Sequence, residues 1–474
     1  MLTPSNEDVW REIMSYFTIS LTNDHPDEVK TKRRVLLSLV LTSRDLANIA
    51  RDELWKSMTT LTPIVQVLNH FSGSSDPSGP EALLTFTNDR WEMAFPSTCT
   101  AEELASCAAM YLSRIRYLHY SPFPSLQEST LLQTLSALGQ RLDPLLPSLK
   151  GLYLSTHSSI NSAMAYHITP LLSPTLKTLT LRNPHFAYTG ASERVLTILL
   201  DILRCRKTQI EEINCKGYTS SKIACRIFRL SSLRSVAIPS RLSGDAITEA
   251  EISSFHGLAI AMLDIHLSLF IKPENVRDWA KSLRSISDLT LRGSRTKLVK
   301  FLLDCSRIST ARSFGLYVEG PLENRQNNYA RVGLLQSVSI DKILTEIIQC
   351  IPTLKYLRIA AYQGPPGDAR FILPYYSRHA RSLIHATLPL QSSSTKEPVD
   401  TTPKESVCPL RSLDIPTMDL PTGIRSVLGV ARNLVLLFPR LDTITAARGN
   451  DAVLEDLQAS IDAFRDFATS FSRR

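Results

Sequence analysis

The residues of this chain best suited to nucleophilic or metal chemistry are its eight cysteines, Cys99, Cys107, Cys205, Cys215, Cys225, Cys305, Cys350 and Cys408. None forms a Cys-x-x-Cys pair and none falls in a Cys/His cluster of zinc-finger spacing, so neither a metal knuckle nor a dithiol centre is expected. Most lie in apolar stretches, where a thiol packs as a small hydrophobe, and the pattern suits a reducing compartment. Phosphate chemistry is no better served. No glycine precedes a lysine and no two glycines are separated by a single residue, which excludes the local signatures of a P-loop and of a dinucleotide turn. GxSxG and HExxH are also absent. In GPPGD, Gly364 to Asp368, two prolines replace the backbone donors that an anion cradle uses, so a turn is expected there. No catalytic residue, metal or cofactor is assigned. An acid, a base and a nucleophile can still be gathered from distant positions, and an unrecognised enzyme site stands as an alternative.

What the chain repeats is a hexad of the form apolar-x-x-apolar-x-apolar. It is written by IRYLHY from Ile115, LKGLYL from Leu149, LKTLTL from Leu176, IEEINC from Ile210, LRSVAI from Leu233 and IAMLDI from Ile260. It continues as ISDLTL from Ile286, ARSFGL from Ala311, LKYLRI from Leu354, LIHATL from Leu383, LRSLDI from Leu410 and LDTITA from Leu441. Spacings between starts run from 23 residues (Ile210 to Leu233) to 43 (Ala311 to Leu354). Hexads at this period resemble leucine-rich repeats, in which each unit supplies a strand to a concave face and a helix to a convex one.

Segments between hexads agree with that layout. Ser192 to Arg204 spaces Val195, Leu196, Leu199, Leu200 and Leu203 along one helical face, and Ser339 to Ile351 does so with Ile340, Ile343, Leu344, Ile347 and Ile348. Asp451 to Phe471 gives a last amphipathic helix through Val453, Leu454, Leu457, Ile461, Phe464 and Phe471, suited to covering the end of a stack. The fold class expected is therefore α/β: an irregular solenoid with parallel concave strands and convex helices, preceded by a helical module. A generic alternating α/β sheet would explain the same strands and helices. Val318 to Arg331 and Gln391 to Cys408 are polar inserts, expected as long surface loops, and Thr402-Pro403 reads as a solvated linker.

Strand alternation turns the first, fourth and sixth hexad positions inward and leaves the third and fifth on the open face. That column holds Tyr117, His119, Tyr153, Asn214, Asp264, Asp288, Tyr356, Arg358 and Asp414, with Lys216, His266, Arg292 and Tyr317 two residues further on. Aromatic and charged side chains are what interface centres use, so Tyr117, His119, Tyr153, Asn214, Lys216, Asp264, His266, Arg292, Tyr317, Tyr356 and Arg358 are the candidate residues for binding a protein substrate.

Two helical patterns open the chain. Val9, Trp10, Ile13 and Phe17 recur at helical spacing, and a second helix is expected from Val35 to Lys56, with Thr18 to Arg34 as a polar loop between them. NEDVWREIMSYF followed by LLSLVLTSRDLANIARDELWKSM resembles an F-box, most of all the large fungal set with a Leu-Thr-Ser-Arg core and a closing Leu-Trp-Lys. Pro4, Val9, Ile13, Phe17, Leu36, Leu39, Ser43, Arg44, Ile49, Leu54 and Trp55 match by position. The Leu-Pro pair that opens the motif is represented by Pro4 alone, the aromatic often found at Leu46 is missing, and the loop is long. The resemblance implies docking to a Skp-type adaptor, and through it to a cullin, by Pro4, Val9, Trp10, Ile13, Phe17, Leu36, Leu39, Arg44, Leu54 and Trp55. It makes the chain the substrate-recognition subunit of a ubiquitin ligase. The alternatives are two core helices capping a solenoid, and an interaction scaffold with no ubiquitin role.

The expected divisions are 1–58 for the helical module, 59–110 for a linker and N-terminal cap, 111–450 for the solenoid and 451–474 for the closing helix. With 43% hydrophobic and 21% charged residues among 474, the chain has an ordinary globular composition. Lys and Arg number 53 against 45 Asp and Glu, a formal charge of +8 that favours acidic partners; the cations are scattered, so nucleic acid is not expected as a partner. The most apolar run, Gly257 to Ile271, is interrupted by Asp264 and His266, and Met1 to Asp8 is polar. Neither a membrane span nor a secretory signal is expected, which places the protein in the cytoplasm or nucleus.

Overall fold

A computed structural model describes residues 4–19, 25–42, 44–60, 63, 84–87, 90–93, 101–120, 144–155, 168–183, 190–217, 219–239, 242–243, 260–267, 286–294, 298, 311–319, 340–360, 367–391, 407–416, 424–446 and 451–472. The chain divides into two compact units, Met1–Leu233 with Ser243–Asp245 and Arg234–Leu242 with Ala246–Arg474.

In the first unit a helical head of α1 (Pro4–Ser15), α2 (Pro26–Thr42) and α3 (Arg44–Lys56) runs into β1 (Ser57–Met58). An antiparallel hairpin, β2 (Leu84–Thr87) and β3 (Arg90–Met93), and α4 (Ala101–Leu112) follow. Then come β4 (Tyr117–Tyr120), β5 (Gly151–Ser155), β6 (Thr178–Asn183), α5 (Gly190–Cys205), β7 (Glu212–Gly217), β8 (Thr219–Ser220) and α6 (Ser221–Ile227). Strands β1, β4, β5, β6 and β7 form a parallel ladder in chain order.

The second unit repeats the plan with β9 (Ser235–Ile238), β10 (Leu242–Ser243), β11 (Met262–His266), β12 (Asp288–Ser294), β13 (Ser313–Glu319), α7 (Ile340–Cys350) and β14 (Tyr356–Ala360). It ends with β15 (Gly367–Asp368), α8 (Ala369–His379), β16 (His385–Thr387), β17 (Leu390–Gln391), β18 (Ser412–Ile415), α9 (Ile424–Leu437), β19 (Thr443–Ala446) and α10 (Asp451–Ser472). Its parallel ladder runs β9, β11, β12, β13, β14, β16, β18, β19, again in chain order. All twelve hexads are strands of these ladders. Chain order, and a strand face left open, separate this repeat architecture from a doubly wound sheet, whose parallel strands are covered on both faces.

The register explains why the hexad repeats. Fourth positions stand opposite fourth positions: Leu118, Leu152, Leu179 and Ile213 in the first unit, and Val236, Leu263, Leu289, Phe314, Leu357, Ala386, Leu413 and Ile444 in the second. All of these are buried, as is every hexad's first residue from Ile115 to Leu441. Each strand begins on one shared acceptor. The Arg116 carbonyl takes the N–H groups of Lys150 (2.7 Å) and Gly151 (3.0 Å), and Lys150, Lys177, Arg234, Ala261, Ser287, Arg312, Lys355, Ile384 and Arg411 repeat the arrangement toward their next rungs.

The helices bury the faces their spacing foretells. Val195, Leu196, Leu199, Leu200 and Leu203 of α5 are buried, as are Ile343, Leu344, Ile347 and Ile348 of α7. Tyr376 of α8, wholly enclosed, donates its hydroxyl to the Leu344 carbonyl at 3.0 Å, and burial holds that phenol well above its ordinary pKa. Helix α10 covers the last rung with Leu457 and Ile461 buried. Its Gln458 accepts the Ile444 N–H through Oε1 at 3.0 Å and donates through Nε2 to the Asp442 carbonyl at 2.9 Å, as another strand would.

Several expectations are corrected. The head has three helices rather than two: α2 begins at Pro26, inside the segment read as a loop, and the long second helix is divided into α2 and α3. The head's last residues, Ser57–Met58, already form the first rung, and 59–110 holds the hairpin and most of α4. Gly367–Asp368 of the expected turn form a short parallel pair with Leu390–Gln391. Most of both polar inserts, Thr402-Pro403, Cys99 and Cys305 lie outside the described residues. Among the described residues, no helix is long and apolar enough to cross a membrane.

Replacing Gln458 by leucine keeps its bulk and strands two backbone groups at the ladder's edge. We expect a loss of about 1–3 kcal/mol in chemical denaturation and faster hydrogen exchange at the Ile444 amide. Unchanged exchange would show that this amide contact does not hold the edge.

Candidate partner-binding surfaces

The head packs around Met14, Ile19, Leu36 and Ile49, with Trp10, Phe17, Leu39 and Leu54 partly buried against them. Leu36 is fully enclosed, and Trp55 is buried against Tyr111 of α4, ring centres 4.8 Å apart. In this conformation Leu36 and Trp55 hold the head together and are turned away from any partner, which corrects their assignment to an adaptor surface. The outward residues are apolar too. Val9 (57% exposed) and Ile13 (39%) on α1 and Tyr16 (76%) in the turn that follows it lie at i, i+4, i+7 spacing. Leu37 and Leu41 make a shorter exposed pair on α2. Arg44 is exposed, and Pro4 opens α1. Tyr16, Leu37 and Leu41 were not singled out from sequence, although helical spacing from Val9 and Ile13 would have found Tyr16.

In the first unit the open ladder face presents Tyr117, His119, Tyr153 and Asn214, with Lys216 exposed at its far end. His119 meets the Tyr153 ring edge-on with centroids 3.8 Å apart, and Arg182 donates to the Tyr153 hydroxyl at 3.5 Å. Gly151 is required beside them, because a Cβ there would lie 2.7 Å from Cδ1 of Tyr117.

In the second unit the open face carries Asp264, Arg292, Tyr317, Tyr356 and Arg358. Arg292 grips Asp264 through Nε (2.7 Å) and Nη2 (2.8 Å), and its guanidinium lies 3.9 Å from the centre of the Tyr317 ring. Burial works against the Arg292 charge, but the hydrogen bond and charge of Asp264 outweigh it and raise its pKa. Arg358 approaches the same ring at 6.0 Å. One rung on, Tyr356 stacks on His385 with centroids 5.1 Å apart and planes 7° from parallel. His385 and Arg182 were not singled out from sequence, although both stand in the columns that hexad alternation defines. His266 departs from the expectation. It stands opposite Arg292 in register but is only 3% exposed, so it belongs to the packing of the strand's end rather than to a contact surface.

No group of three or more His, Cys, Asp or Glu side chains that could hold a metal ion occurs among the described residues. Cys408 is buried, its Sγ 3.7 Å from the Leu383 carbonyl, and desolvation pushes its thiol up to about 12 against the opposing pull of the Leu410 backbone.

No protein-family model matches the chain, and no curated protein matches it. Among solved structures it is similar to the crystal structure of the Rad7 and Elc1 complex in yeast, with 17% identity and a TM-score of 0.40 over 71% of this chain and 74% of that chain.

Two measurements check this geometry. At pH 8 a maleimide should label exposed Cys205 in the native protein and leave Cys408 unmodified until denaturant is added; rapid native labelling of Cys408 would contradict its enclosure. A double-mutant cycle of Asp264→Ala and Arg292→Ala should give a coupling of about 1–2 kcal/mol, above that of an exposed pair. A coupling near zero would mean that the fork does not organise the face.

Proposed function

We propose that this chain is a substrate-recognition subunit of a Skp-cullin-F-box ubiquitin ligase, with the head docking a Skp-type adaptor and the ladder's open face holding a protein substrate. The observation that carries the reading is the exposed stripe of Val9, Ile13 and Tyr16 on a head that has otherwise closed its own core. A helix face that stays apolar in water marks a site for a partner. Val9 and Ile13 are also motif positions in the F-box resemblance. Fully covering a side chain of this size contributes about 1.5–3 kcal/mol, so covering the exposed parts of these two is worth roughly ten- to a hundredfold in affinity.

The open face suits a protein partner by composition, since Tyr117, Tyr153, Tyr317 and Tyr356 are rigid amphipathic anchors among charged groups. No catalytic group is needed in this chain. A receptor accelerates modification by holding its captive near a transferring enzyme, which is a proximity effect.

Co-purification with a Skp adaptor tests the reading. Val9→Lys combined with Ile13→Lys should lower adaptor recovery at least tenfold while the thermal unfolding profile is kept, because both side chains reach the surface and a lysine stem can carry its charge into water. Retained adaptor binding by that variant, or no adaptor binding by the native chain, would remove the ligase assignment.

A further inference from the structure

Where the head meets the first rungs, the surface is hollowed on both sides of one side chain, Tyr117, itself 43% exposed. On one side is a cleft of about 370 Å³ walled by Ile19 from the turn after α1 and by His119 and Tyr153 from β4 and β5. Its volume suits one bulky apolar group, and Gly151 leaves the room that lets the Tyr117 ring lie across its own strand's neighbour.

On the other side is a wider cavity of about 580 Å³ at the ladder's edge, lined by five cations and two carboxylates. The carboxylates are committed: Asp52 to Arg114 and Arg11, Glu53 to Lys56 at 2.9 Å. Two cations are left over. Among the described residues Arg116 donates to the Ser148 carbonyl, at 3.5 Å, and no carboxylate pairs with Arg116 or Lys150. They are the second residues of adjacent rungs, so strand spacing holds them about 5 Å apart at the backbone. Two cationic side chains rooted that close together can converge on an anion placed between them.

An extended peptide advances about 3.3–3.6 Å per residue, so adjacent residues can straddle a tyrosine ring, one on each side. We propose that this corner captures a short acidic and hydrophobic segment of the protein substrate. A Phe- or Leu-sized side chain fills the cleft between Tyr117 and Tyr153, and a neighbouring Asp or Glu carboxylate sits between Arg116 and Lys150. The proposal rests on the substrate-receptor reading and names the chemistry of what is received.

The test uses the full chain and fluorescence anisotropy of a fluorescein-labelled nonapeptide bearing Glu-Phe-Glu between Gly and Ser flanks, against Glu-Ala-Glu and Lys-Phe-Lys versions. The Glu-Phe-Glu peptide should bind at least tenfold more tightly than either. Tyr117→Ala, and separately Arg116→Glu with Lys150→Glu, should each weaken it at least tenfold, while a charge reversal elsewhere on the surface, Lys222→Glu on α6, should not. All these positions are at the surface, and unchanged thermal unfolding verifies the fold. Equal binding of the three peptides, no binding at millimolar concentration, or indifference to both variants would overturn the proposal. So would displacement by N-acetyl-phenylalanine at comparable concentration, which would assign the corner to a free small acid. Adaptor recovery is read on the same samples: its failure with peptide binding intact removes the ligase assignment alone, and the converse removes this site alone.

Discussion

Everything in the ladders depends on one shared hydrogen-bond acceptor. A peptide carbonyl has two lone pairs, and the carbonyl of the second hexad residue gives both to the next rung, as Arg312 does to Lys355 and Tyr356 at 2.7 and 3.0 Å. That clamp removes slippage. A shift of one residue would turn each fourth-position leucine to water and bring a third-position polar residue into the core. Because the clamp involves only the residues that begin a strand, the length of chain between rungs is free to vary. Repeats 25 residues long (Ile286 to Ala311) and 43 residues long (Ala311 to Leu354) therefore stack with the same register, their extra residues falling in the connections.

The same register organises the open face. Side chains at the third and fifth positions are forced into columns about 5 Å apart, so each must suit its neighbour across the rung. Some pair across the rung, as His119 does with Tyr153 and Tyr356 with His385, and Arg292, just past its hexad, grips Asp264 on the diagonal. A pair so formed is rigid and already partly desolvated, and such groups lose little entropy when a partner arrives. The second position behaves differently. It sits where the chain turns into the strand, its backbone fully used, and there basic residues collect at Arg116, Lys150, Lys177, Arg234, Arg312, Lys355 and Arg411, with Lys177 paired at 2.7 Å to Glu211 at the same position of the next rung.

How much of this was legible in the sequence follows from the same physics. The hexads located the ladder strands, because a half-buried strand under a clamped register must write its alternation into the chain. The head was harder. Helix α2 opens with Asp27, Glu28, Lys30, Lys32, Arg33 and Arg34, so its first half lacks an apolar stripe and only Val29 packs inward. Leu36 and Trp55 drew attention as motif residues, and nothing in their identity distinguishes a side chain that builds a core from one that meets a partner. His385 and Arg182 stand in columns that the alternation defines, but which residue each one meets is not written locally, because that neighbour is a whole repeat away in sequence.

A parallel ladder has two bare edges, and each unit finishes one of them with a helical element. At the C-terminal edge a single amide, Gln458, satisfies the last strand. At the N-terminal edge the head itself does the work: Lys56 offers its carbonyl to the Arg116 N–H at 2.9 Å, and β1 pairs with β4. The head must therefore be rigid on its inner side, which is where Met14, Leu36 and Trp55 are spent. Helix α1 divides accordingly. Met14 faces in while Val9, Ile13 and Tyr16, on the opposite arc, take no part in closing the ladder. Selection for stability alone favours polar residues on an arc that stays in water. That three large apolar side chains occupy it, at the spacing of one helical face, places the demand for them outside the fold.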